Sequence, residues 1–129
     1  RHLAEIEEQA GIAAGGAVQV HFTPHLVPMM RGIATTMVIP SEASADAVYR
    51  CWEAHYGGRP GIRLLPSGKS AETRPVTGRN RVDISALADE RTGNLLITSA
   101  IDNLMKGASG QAVQIMNLRL GFPEQAGLR

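Results

Sequence analysis

Two neighbouring stretches alternate with a period of two: Val82, Ile84 and Ala86 in one, and Leu95, Ile97, Ser99 and Ile101, apolar except for Ser99, in the other. Side chains alternate across a strand, and the DERTG between the two stretches is turn chemistry, so together they predict a β-hairpin. Ile33–Ile39 alternates in the same way and stops at Pro40. Ala17–Phe22 puts Val18, Val20 and Phe22 on one side and Gln19 and His21 on the other, a further predicted strand. Ile62–Leu65 is a short apolar run bounded by turn residues and predicts another. Helical spacing appears three times. Leu3, Ile6 and Ala10 predict a helix over residues 2–10, closed by Gly11 and then Gly15-Gly16. Val48, Cys51, Trp52, His55 and Tyr56 predict the inward stripe of a second helix, capped by Ser41 or Ser44 and ended by Gly57-Gly58. Val113, Met116 and Leu120 predict the buried face of a last helix over 109–120, stopped by Gly121 with Pro123 beyond.

Between these elements, TPHLVPMMRG carries Pro24 and Pro28 and reads as irregular or edge chain, because proline gives a ladder no donor. Residues 66–80 are rich in Pro, Gly, Ser and Thr and read as a loop. The order α-β-β-α-β-β-β-α does not alternate strictly. It therefore favours an α+β fold, a mixed and largely antiparallel sheet covered by helices, over a doubly wound one.

With 129 residues the chain fits one domain, 1–129, and with 43% hydrophobic and 19% charged residues it can pack a core. Thirteen Lys and Arg balance twelve Asp and Glu, and aromatics are 4%, so nothing points to nucleic acid. No apolar run reaches the roughly 20 residues that span a bilayer. The opening RHLAEIEEQ lacks the order of a signal peptide. The single cysteine, Cys51, agrees with a reducing, cytoplasmic setting, or an organelle matrix in a eukaryote. A chain that opens on Arg reads as a processed product or a piece of a longer protein.

Three clusters could carry chemistry. In NLMKGASGQAV, Lys106 and the small residues Gly107 and Gly110 lead into a helix, whose unpaired N–H groups can hold an anion; the plainer reading is a turn and a cap. Asn103 sits at the preceding strand end. In RHLAE, Arg1, His2 and Glu5 fall within about one helical turn, and a His–Glu pair can hold a proton donor in place. His25 and Arg31 flank the proline-rich bend, where loops often carry sites. His21 reads as exposed, and Cys51 with His55 as packing on the second helix. Four histidines and one cysteine show no metal-ligand spacing such as HExxH or CxxC.

Taken together, RHLAEIE at 1–7, HFTPHLVPMMRGI at 21–33, AIDNLMKGASGQAVQIMNLRLGF at 100–122 and PEQAGL at 123–128 resemble the C-terminal half of the N-acetyl-gamma-glutamyl-phosphate reductases. The resemblance covers essentially the whole chain, and the segment from 100 is its most specific part. It implies an enzyme that reduces an acyl phosphate to an aldehyde with NADPH, through a cysteine thioester and a proton-handling histidine. It also implies a Rossmann domain, absent here, followed by an α+β domain like the second domain of glyceraldehyde-phosphate and aspartate-semialdehyde dehydrogenases. That second domain supplies substrate contacts and the interface of a homodimer or tetramer.

By position, the family's H-R-H-x-P-E motif implies an acid/base histidine directly before Arg1. His2 and Glu5 would support it, and Ala4 stands in place of the usual proline. The resemblance assigns Arg1, His25, Arg31 and Lys106 to substrate binding, and Asn103, with Gly107 and Gly110, to the NADP(H) side of the cleft. Ile115 departs from a frequent asparagine. No segment matches the nucleophile or the nucleotide loop, and Cys51 lies on the wrong element, so the expected state alone is inactive. Two rivals remain open: a non-catalytic ligand-binding or oligomerisation module, and a sister acyl-phosphate reductase of lysine biosynthesis.

Overall fold

The computed structural model describes residues 2–129. Its elements in chain order are α1 (Leu3–Ala14), β1 (Ile33–Pro40), α2 (Ala45–Tyr56), β2 (Ile62–Leu64), β3 (Val82–Asp89), β4 (Asn94–Ile101) and α3 (Gly110–Leu120). A single 3-10 turn, Arg74–Val76, interrupts the 66–80 loop, and a run of wide i+5 turns, Met105–Ser109, leads into α3. Among the described residues no helix is long and apolar enough to cross a membrane.

The hairpin is the centre of the fold. Asp89 organises its turn: the backbone oxygen accepts from Gly93 N at 3.0 Å, and the carboxylate accepts from Arg91 N at 3.1 Å and Thr92 Oγ1 at 2.7 Å. A short polar side chain that bonds the backbone ahead of it is what starts such a turn. β1 joins the far side of β4 antiparallel, Ile33 opposite Ile101, while β2 runs parallel to β3, Ile62 opposite Val82. The sheet order is β1-β4-β3-β2, so the sheet is mixed and the α+β expectation stands.

Register places Ile33, Met37, Ile39, Leu95, Ile97, Ile101, Ile84 and Ala86 on one face. Thr36, Ser85 and Thr98 lie on the other, under the 66–80 loop. There Thr98 Oγ1 shares a hydrogen bond with Ser85 Oγ at 2.8 Å and accepts from Ala71 N at 2.8 Å. Val76, in the loop itself, and Ala100, on this face, are buried; Ala86 and Leu95 are buried on the other. α2 lies over the β2–β3 end. Ser44 caps it, Oγ accepting from Ala47 N at 3.2 Å. Beyond the end of β2, the Tyr49 hydroxyl accepts from Ala86 N at 3.2 Å and fills the place of a missing ladder partner.

Four expectations need correction. Residues 17–22 form no strand: they run beside α1, where the Glu7 carboxylate takes Val20 N at 3.0 Å, and the outer edge of β1 has no ladder partner among the described residues. Alternation specifies an extended backbone but not an edge to join. α1 runs on past residue 10 to Ala14, with Gly15 in the left-handed cap. Cys51 and His55 are exposed rather than packed; the half-buried face of α2 is Ala45, Val48, Tyr49 and Trp52. In α3 the inward face is Gly110, Gln114 and Asn117, while Met116 and Leu120 are exposed.

Candidate functional site

Two of the quoted segments meet where β4 ends. Asp102 follows the last residue of the strand and is 0% exposed. Its Oδ1 accepts from Leu104 N at 2.8 Å and Met105 N at 3.0 Å; its Oδ2 accepts from Gly78 N at 2.6 Å and Arg31 Nη1 at 3.0 Å. One carboxylate thus joins the 23–32 segment, the 66–80 loop and the approach to α3. Burial alone would raise its pKa. The backbone N–H groups of Gly78, Leu104 and Met105, with the Arg31 guanidinium, outweigh that and hold it down to about 2.

Asn103 completes the junction, its Oδ1 accepting from Gly32 N at 2.7 Å. Gly32 has φ near 111°, and a Cβ there would stand 2.6 Å from Thr73 Cβ, so only glycine fits. Arg31 is 40% exposed, and among the described residues its Nε and Nη2 donate to nothing. Arg31 and Asn103, expected at the site, are brought together. Asp102, which ties them, was not picked out from the sequence, although an aspartate whose carboxylate meets N–H groups two and three residues on is a capping pattern.

At KGASG several backbone donors are already taken. Leu104 and Met105 N–H go to Asp102 Oδ1, Gly107 N–H to the Asp102 backbone oxygen at 3.0 Å, and Gly110 N–H to Met105 O. The chain's own Asp102 carboxylate thus takes the Leu104 and Met105 donors, and the N–H groups of both glycines are used within the chain. Gly110 is small for packing: a Cβ would meet Asn80 Oδ1 at 2.5 Å and Met105 O at 2.8 Å. Gly107 is exposed, and a Cβ there would meet chiefly the movable Ile101 Cδ1, at 3.2 Å. Gly110→Ala is therefore expected to lose about 1–3 kcal/mol of stability as an overpacked site. Gly107→Ala should cost less than half as much, with urea unfolding of both as the check.

Lys106 turns inward. Its Nζ donates to Gln114 Oε1 at 2.7 Å, which also accepts from Asn80 Nδ2 at 2.8 Å, while Gln114 Nε2 donates to Glu124 Oε1 at 2.5 Å. Burial lowers the Lys106 pKa, and Glu124 partly offsets this. Asn117 Nδ2 donates to the backbone oxygens of Glu124 and Ala126 at 3.1 and 3.0 Å. Of the other expected residues, His2 and Glu5 pair at 3.1 Å, both exposed. His25 is exposed, with Nδ1 3.1 Å from Thr23 O, and no hydrogen bond joins it to Arg31 among the described residues. Arg1 lies outside the described residues.

Residues 1–103 match the family model for the semialdehyde dehydrogenase dimerisation domain. The chain belongs to that family. Relatives across its length are N-acetyl-gamma-glutamyl-phosphate reductases: that of Geobacter sp. (strain M21) is 48% identical over 130 residues, 99% of this chain and 38% of the relative. That of Desulforudis audaxviator is 48% identical over 133 residues, and that of Micrococcus luteus 47% over 131, with the same coverage of this chain and of the relative. This semialdehyde dehydrogenase dimerisation domain is thus homologous to the C-terminal domain of those reductases and spans 38% of their length. The likeness extends past residue 103, through the Asp102 junction and α3 to the chain end.

Proposed function

We propose that this domain binds substrate and forms the subunit interface in an NADPH-dependent N-acetyl-gamma-glutamyl-phosphate reductase of arginine biosynthesis. The observation behind the reading is the 48% identity across 99% of the chain. The reaction takes N-acetylglutamyl 5-phosphate, NADPH and a proton to N-acetylglutamate 5-semialdehyde, phosphate and NADP.

When bound, NADPH supplies the hydride. What this domain offers it is slight, since the Gly107 and Gly110 N–H groups are already used in the helix approach. Asn103 is the residue that fits: with Oδ1 held by Gly32 N, its Nδ2 has no acceptor among the described residues and is free for a carboxamide oxygen. Arg31, partly exposed and with Nε and Nη2 donating to nothing among the described residues, is placed to take an anionic group of the substrate. The His2–Glu5 pair would steady a proton-handling histidine on its N-terminal side, and His25 would reach substrate from the exposed bend. Lys106 acts at one remove, holding Gln114 and so the seat of α3.

The apolar face carrying Ile33, Met37 and Ile39 on exposed β1 suits a second copy, in keeping with a dimerisation domain, and the reading takes a homodimer as the working assembly. Thioester chemistry needs a nucleophile from the remainder of the enzyme, so the domain alone is expected to be inactive. Joined to its natural upstream sequence, it should oxidise N-acetylglutamate semialdehyde only when phosphate and NADP are both present. A folded, dimeric longer protein without that activity would defeat the reading.

A further inference from the structure

We infer that Asp102 is a positioning residue, which sets through Arg31 where an anionic group of the substrate is bound; this rests on the reductase reading above. Asp102 is fully enclosed and held by three backbone N–H groups from two separate segments, so the carboxylate has no freedom to follow a side chain that moves. It takes one N–H of Arg31, whose side chain is partly exposed and whose Nε and Nη2 donate to nothing among the described residues. A guanidinium anchored at one nitrogen presents its other donors from a fixed place, and that pre-organisation is what a planar two-oxygen anion needs.

The backbone is pinned beside it. Gly32 N is tied to Asn103 Oδ1, and Gly32 sits so close to Thr73 that no Cβ could intervene. Asp102 and Asn103 therefore form a two-residue latch: one holds the Arg31 head, the other the peptide next to it. The ligand class is a carboxylate or a phosphoryl group, and N-acetylglutamyl phosphate carries both.

The test uses the longer enzyme, with wild type first establishing turnover. Asp102→Asn keeps the shape but turns an acceptor into a donor toward Arg31 and Gly78. It should raise KM for phosphate or for the semialdehyde about tenfold or more, with kcat within about threefold and NADPH affinity unchanged. A rise for phosphate assigns Arg31 to the phosphoryl group; a rise for the semialdehyde assigns it to the carboxylate. A fall in kcat that follows the folded fraction, with both KM values unchanged, would overturn the latch.

If that variant does not fold, Asn103→Ala leaves the carboxylate and its helix contacts in place. It should raise the same KM by a smaller factor. Because Asn103 also faces the cofactor in the reading above, weaker NADPH binding is expected either way; both KM values unchanged would equally overturn the latch. Should the wild-type enzyme not turn over, the reductase reading fails separately. The latch is then read by calorimetry with inorganic phosphate and with N-acetylglutamate as probes. The affinity for one of them should fall about tenfold in the variant, and equal binding of both to wild type and variant would refute it.

Discussion

Asp102→Ala is expected to cost on the order of 5 kcal/mol, which approaches the whole margin of an ordinary domain. The substitution leaves the N–H groups of Gly78, Leu104 and Met105 without their acceptor, at about 1–3 kcal/mol each where water cannot reach them. It also frees Arg31 from the 66–80 loop. The effect has a pH signature. The folded carboxyl titrates near 2 against an ordinary value of 3.8, so its depressed pKa contributes stability above about pH 4, which is lost as pH falls toward 2. The contribution is on the order of 2 kcal/mol. Urea midpoints taken between pH 2 and 5 should rise with pH in the wild-type domain, and Asp102→Asn should remove that part of the rise. An alanine variant as stable as wild type would mean that the junction carries no load.

The second large effect is expected at Asp83, which is 0% exposed and faces two cations. Arg63 grips it through Nε at 3.0 Å and through Nη2, and Arg81 donates from Nε at 2.8 Å. Arg63 stands opposite Asp83 in the β2–β3 register, and Arg81 also reaches Pro75 O at 3.0 Å, so the cluster ties the sheet edge to the 3-10 turn. Asp83→Ala leaves two guanidinium groups around an empty acceptor position and should cost about 3 kcal/mol. Arg63→Ala should cost less than half of that, because Asp83 keeps Arg81. Equilibrium unfolding of the two variants gives the comparison; equal losses would mean that Arg81 adds nothing.

The hairpin was legible because period-two alternation and the DERTG turn agree, and the helix over 45–56 because Ser44 and Gly57-Gly58 mark both ends. α3 was legible as a helix but not as a surface. Its apolar spacing promises a buried Val113, Met116 and Leu120. The inward side instead meets the backbone oxygens of Glu124 and Ala126, which need donors such as the Asn117 amide rather than methyl groups. The strand expected at 17–22 did not form although the outer edge of β1 is open among the described residues; whether an extended run joins an edge is a fact about the whole sheet that no local pattern contains. At the site, the sequence pattern marked Arg31 and Asn103 only as polar residues beside a bend and at a strand end, and resemblance to a family gave them their roles. Asp102 is separated from Arg31 by 71 positions, and spacing along the chain does not report such a meeting.

The amide-lined seat of α3 gives its two sides different rules of substitution. Greasy contacts tolerate a slide of an ångström or a change of one methylene, whereas the bonds of Gln114 and Asn117 exist in one pose only. The seat therefore acts as a key: it accepts the helix in a single rotation and register, or not at all. Ile115, Leu118 and Leu120, on the outer side, can change volume without moving the helix, so the outward surface is free to be shaped for whatever meets it while the Asp102 junction stays in place.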